Sequence, residues 1–138
     1  MDTLRNRGAK MIVIHGSSDP VFSVDDTTAW YEALDARYAG GAVEFTRFFR
    51  VPGMGHSRGG PATDQFDALT ALVNWVEKGQ APARIVATAR GSGNAGGVNT
   101  ELPADWSAGR SRPLCPHPLL ARYSSGDKEK ADSFVCAK

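Results

Sequence analysis

Apolar positions in the first half of the chain fall into short runs of differing period. Met11 to Ile14 is a continuous aliphatic run within Lys10 to Gly16 (KMIVIHG), closed by glycine. A run without alternation predicts a strand buried on both faces, as in a parallel sheet. The turn cluster Ser17-Ser18-Asp19-Pro20 follows. Ser23, with Asp26 in the capping-box position, marks a helix start. Trp30, Ala33, Leu34 and Tyr38 then recur on one helical face, and Gly40-Gly41 stops the helix. Val43 to Val51 (VEFTRFFRV) half-alternates, with Val43, Phe45, Phe49 and Val51 on one face and Glu44, Thr46 and Arg50 on the other. The pattern predicts a strand near the sheet edge, and Arg47 and Phe48 break it. Strand, helix and strand form a βαβ unit, which should cross over right-handed and leave its strands parallel.

Residues 52–61 (PGMGHSRGGP) read as a glycine-rich loop. A second helix is expected after Thr63 as N-cap, with Phe66, Leu69, Val73 and Val76 as its core stripe. Leu72 and Trp75 widen the stripe, and Lys78-Gly79 close the helix. Arg84 to Ala89 is one more strand candidate, Gly91 to Gly97 reads as a flexible loop, and residues 1–9 read as polar and frayed. From Arg110 the chain is rich in proline and loop residues. The expected architecture is α/β: a single partial domain over residues 1–138, with a βαβα core over 10–90 and a loop-rich tail over 91–138.

Composition narrows the function classes. Apolar residues make up 41% of the 138, which is globular composition, and the net charge is only +1. No basic excess exists to bind a phosphate backbone, so nucleic acid is not an expected partner. No apolar run approaches the roughly 18 residues of a membrane span, and none suits a signal-peptide core. The mature or internal part of a secreted protein would read the same way. Cys115 and Cys136 are too few for a disulfide-dense scaffold and do not have zinc-site spacing.

Two polar residues stand where chemistry collects in an open α/β sheet, at the carboxyl ends of strands. Asp19 follows the first predicted strand and His56 follows the second. A carboxylate that accepts Nδ1–H from a histidine fixes the ring's tautomer and stabilises the imidazolium. The bland alternative is a turn-capping Asp19 and an ordinary loop histidine. Gly55-His56-Ser57-Arg58-Gly59 also matches the nucleophile-elbow pattern G-x-S-x-G. An elbow needs a strand entering and a helix leaving, whereas Pro52-Gly53 and Gly59-Gly60-Pro61 interrupt both. Ser17 and Ser18 either line the site or shape its turn. His15 reads as a satisfied structural histidine and His117 as an ordinary tail residue. Three histidines without ligand spacing make no metal site.

The segments HGSSDP, FFRVPGMGH, FDALTALVNWVEKGQAP, RPLCPHPLLARYSSGD and the closing FVC resemble the C-terminal part of the tannase and feruloyl esterase family, over about Lys10 to Cys136. The resemblance implies the C-terminal portion of an α/β-hydrolase sheet, incomplete without upstream strands. It implies a serine carboxylic-ester hydrolase acting on phenolic-acid esters, with Asp19 as triad acid and His56 as triad base. It places the serine upstream of Met1, together with a lid that holds most substrate contacts and a calcium site, so no cofactor is expected in this chain. The expected partners are a small-molecule ester and the upstream part of the same hydrolase. The resemblance also pairs Cys115 with Cys136, which implies an oxidising, secreted or periplasmic setting. The family residue after the histidine is usually a cysteine bridged to one beside the nucleophile, and here it is Ser57. Either packing alone holds the His56 loop or catalysis has drifted. Two alternatives stay open. One is a catalytically silent assembly or binding module that dimerises through an exposed strand edge. The other is a self-contained small esterase using Ser57, with His117 and an aspartate.

Overall fold

The computed structural model describes residues 1–138. The chain forms a mixed helix–strand fold built around one parallel strand pair. Strand β1 (Met11–Gly16) runs parallel to β2 (Thr46–Val51), in a register from Met11↔Thr46 to Gly16↔Val51. A short helix α1 (Asp2–Asn6) precedes them, in place of the frayed segment expected. Its Asp2 carboxylate accepts hydrogen bonds from Arg37 and Tyr38, which ties the N-terminus to the next helix.

Helix α2 (Val24–Arg37) crosses between the two strands. The Ser23 hydroxyl caps it, accepting from the N–H groups of Asp25 and Asp26. The buried face is only partly the one predicted: Leu34 is buried and Tyr38 packs on its cluster as expected, but Tyr31 is buried in place of Trp30 and Ala33, which are exposed. The cause lies in β2, which starts at Thr46 and not at Val43. Gly40 turns left-handed (φ 84°) and Gly41–Glu44 winds into a 3-10 turn. Ala42 and Phe45 thereby close over Leu34, and Tyr31 packs on Phe48 with ring centroids 5.8 Å apart. Phe48 serves the α2 side of β2, and Phe49 and Val51 serve the opposite core. Arg47 holds its guanidinium over the Trp75 ring, 5.6 Å from the centroid, and donates to the Pro82 carbonyl at 3.1 Å. The broken alternation is therefore the mark of a strand covered on both faces.

Helix α3 (Ala68–Lys78) starts at Asp67, whose carboxylate accepts from Thr70 N–H; Thr63 is buried upstream, and Gln65–Phe66 form a short strand β3. Trp75 is buried, and Ala68 and Ala71 pack on the core. Of the predicted stripe, Phe66 packs on the core from β3 and Trp75 is buried as expected, whereas Leu69 (72% exposed), Val73 (40%) and Val76 (59%) face out. The helix is apolar on two faces, and the alanine–tryptophan face is the one that docks.

Strand β4 (Ile85–Thr88) pairs antiparallel with β3 and with β5 (Ser111–Leu114). Strands β6 (Leu120–Tyr123) and β7 (Phe134–Ala137) form an antiparallel hairpin. The tail thus carries three strands between its loops, and Leu114 joins Phe49, Val51, Met54, Ala62, Ile85 and Ala87 in one core. A disulfide joins Cys115 to Cys136 across 21 positions. Loop-closure entropy makes such a cross-link worth about 3 kcal/mol.

β1 corrects the expectation of a strand buried on both faces. Met11 through His15 are each only half-buried, because β1 has a strand neighbour on one edge alone.

Candidate active site

The loops that leave β1 and β2 are laced together. Ser17 N–H donates to the Val51 carbonyl (2.9 Å) and Ser18 N–H to the Met54 carbonyl (3.0 Å). The Ser17 hydroxyl accepts from Gly53 N–H at 2.9 Å, so Ser17 shapes the turn. Gly16 is buried where a Cβ would collide with the carbonyls of Met54 and Gly55. This lacing holds the Asp19 turn beside the His56 loop.

Asp19 Oδ1 accepts from the N–H groups of Val21 (2.8 Å) and Phe22 (3.1 Å). Its Oδ2 accepts from His56 Nδ1 at 2.9 Å. The Asp19 side chain is 5% exposed and the imidazole 49% exposed. Burial works to raise the Asp19 carboxyl, but the His56 hydrogen bond and the two backbone N–H groups outweigh it and hold it at about 2, below the ordinary 3.8. With Nδ1–H donated to the carboxylate, the lone pair of His56 lies on Nε2, which has no partner in the chain. The face it turns to is open. A cleft of about 490 Å³ lined by Arg50, Pro52 and His117 reaches the site only at Ser17.

His15 is satisfied on both nitrogens. Nδ1 meets the Thr27 hydroxyl at 2.8 Å, and Nε2–H donates to the Phe22 carbonyl at 3.2 Å, 3.4 Å from Asp19 Oδ2. It braces the turn that carries the acid. His117 faces away from the site: Nε2 meets Glu32 at 3.1 Å, and its ring stands edge-on to Tyr31. Ser18 is exposed. Ser57 is left-handed (φ 68°) and exposed, and the next helix begins only at Ala68. No strand–serine–helix elbow forms, and nothing brings Ser57 to His117.

Sequence reasoning missed Phe22 and the Asp64–Arg90 pair. Phe22 is 62% exposed, with its ring 5.5 Å from His56. Asp64 and Arg90 are buried and hydrogen-bonded across 26 positions, a separation with no local signature. No group of three or more His, Cys, Asp or Glu residues is placed to hold a metal ion.

At the ends of two parallel strands the chain thus presents an imidazole oriented by a carboxylate, an arrangement able to take up and give back a proton. Residues 1–137 match the family described as tannase and feruloyl esterase, and the chain belongs to that family. It is 50% identical over 134 residues to a mono(2-hydroxyethyl) terephthalate hydrolase of Piscinibacter sakaiensis, covering 96% of this chain and 20% of the relative. It is 35% identical over 142 residues to a probable feruloyl esterase of Arthroderma benhamiae, covering 100% of this chain and 24% of the relative. Among solved structures, an esterase from Aspergillus oryzae superposes with a TM-score of 0.80 at 25% identity, over 99% of this chain and 29% of the other. The chain therefore spans 20% to 24% of these two curated relatives.

Proposed function

We propose that this chain supplies the acid and the base of a serine carboxylic-ester hydrolase acting on esters of aromatic acids, phenolic-acid esters foremost. The nucleophilic serine comes from the upstream part of the same hydrolase, which completes the α/β-hydrolase sheet along the open edge of β1. His56 Nε2 takes the proton from that serine as its oxygen attacks the ester carbonyl. Asp19 stabilises the imidazolium, which then protonates the departing alcohol. In the second half His56 takes a proton from the water that attacks the acyl-serine and returns it to the serine oxygen as the acyl bond breaks and the acid leaves. Asp19 and His56 do this without a cofactor. The Cys115–Cys136 bridge favours a secreted or periplasmic setting.

The observation that carries this reading is the Asp19–His56 bond of 2.9 Å with Nε2 left free. The test is hydrolysis of p-nitrophenyl esters by this chain joined to its upstream coding segment. Turnover is expected, and His56→Ala should lower kcat by about 10⁴-fold or more. Undiminished turnover in His56→Ala would end the assignment.

A second reading, an assembly module that is itself silent in catalysis, is favoured by the unpaired edge of β1. It expects a dimer of the isolated chain in light scattering, and a monodisperse monomer counts against it.

A further inference from the structure

The loop that carries His56 has little regular structure to hold it. Ser57, Gly59 and Gly60 are all left-handed (φ 68°, 77° and 75°), and His56 stands at its exposed tip. No covalent tie is available, because both cysteines are bonded to each other. The base of the loop is instead gripped by side chains. Gly59 N–H donates to Asp64 Oδ2 at 2.7 Å. Gly60 N–H donates to Glu101 Oε2 at 2.8 Å, and the Gly60 carbonyl accepts from Asn99 Nδ2 at 2.8 Å. Gly55 N–H reaches the Gly59 carbonyl at 3.2 Å and carries the hold toward the tip.

The grip is anchored from behind. The Asp64 side chain is fully enclosed, and a buried carboxylate needs a partner. Arg90 supplies it from Nε (3.0 Å to each oxygen) and from Nη2 (2.7 Å). Arg90 Nη1 donates to the carbonyls of Gly96 and Gly97, and its own carbonyl accepts from Asn99 N–H at 2.8 Å. The glycine-rich segment expected to be loose is thus tied to the His56 loop. Burial raises the Asp64 carboxyl, but Arg90 and the Gly59 N–H outweigh it and keep the group ionised.

We infer that Asp64, Arg90, Asn99 and Glu101 form a clamp that positions His56 against Asp19 by fixing the backbone of Gly59 and Gly60. They are positioning residues, since none touches the imidazole. The arrangement joins loop to loop and leaves the strands of the core out, which is what aiming a side chain requires and what holding a core together does not. Its value to catalysis rests on His56 being the base; the positioning itself can be read without any substrate.

The test uses the full chain labelled with ¹⁵N. Long-range ¹H–¹⁵N spectra report which imidazole nitrogen carries the proton, and amide exchange reports the grip on Gly59 and Gly60. Asn99→Ala with Glu101→Ala removes both outer contacts and leaves the Asp64–Arg90 pair intact, so the chain stays folded. In that variant the Gly60 amide, stripped of its Glu101 acceptor, should exchange about tenfold faster or more, while the Gly59 amide keeps its bond to Asp64. His56 should drift from the Nδ1–H form toward the Nε2–H form favoured by a free histidine. Glu101→Gln keeps an acceptor oxygen and should leave both readouts near wild type. An unchanged His56 tautomer in the folded double variant overturns the clamp, whatever happens to its melting temperature. Failure of the esterase reading alone would look different: wild-type spectra with the Nδ1–H form, and no turnover after joining to the upstream segment.

Discussion

Strand β2 is covered on both faces, while β1, its parallel partner along six residues, is half-open from Met11 to His15. Tyr31 covers β2 from one side and the Phe49 core fills the other. Its outer edge is met by the tail, through the Phe49↔Pro116 bridge and a 2.7 Å bond from His117 N–H to the Phe48 carbonyl. β1 has the more continuously aliphatic sequence and the poorer cover. A strand's composition follows the surroundings it was selected in, and its exposure follows what this chain provides. Helix α3 shows the same contrast between its buried Trp75 and its exposed Leu69 and Val76. Both surfaces are ones that the upstream part proposed above would cover.

The contrast can be broken by mutation. Phe49→Ala in β2 empties a fully buried site and should cost about 3–5 kcal/mol in urea unfolding. Releasing the β6–β7 hairpin from the end of β5 by Cys115→Ser with Cys136→Ser should lower stability by about 3 kcal/mol, read in the same assay. On the half-open strand, Val13→Ala should cost only about 1 kcal/mol. A loss there equal to that of Phe49→Ala would mean that β1 is as well enclosed as β2 in solution.

The smallest effect concerns pH. The Asp19 carboxyl is depressed in the folded chain, from 3.8 to about 2. Its contribution to stability is complete above about pH 4 and is lost as pH falls toward 2. Urea midpoints taken across that window should fall more steeply for wild type than for Asp19→Asn. Parallel profiles would show that the contacts of Asp19 with His56, Val21 and Phe22 do not hold its carboxyl down in solution.

The parts legible in the sequence were local ones. The Met11–Ile14 run and the Ser23 cap each announce themselves within a few residues, and strand ends place Asp19 and His56 at one edge of the sheet. The faces of β2 were not legible, because Phe48 is explained only by Tyr31 on another element. The start of α3 was misplaced because Thr63 and Asp67 are both good caps, and packing of the Ala68–Ala71–Trp75 face chose between them. β5 to β7 are four-residue strands, one containing Pro113, and their pairing is non-local. The acid–arginine pair beneath the His56 loop left no trace for the same reason. Where the sequence left open a loop held by packing alone or a drifted catalysis, the structure adds a buried, hydrogen-bonded pair beneath the loop.

The bare α-carbon of Gly16 lets the acid-bearing turn lie flush against the peptide units that lead into the imidazole. The gap across which the proton is shared is gauged by a methyl group that is not there. Supplying one, through Gly16→Ala, would drive a wedge between the two halves of the pair and lengthen their bridge without altering either partner's chemistry.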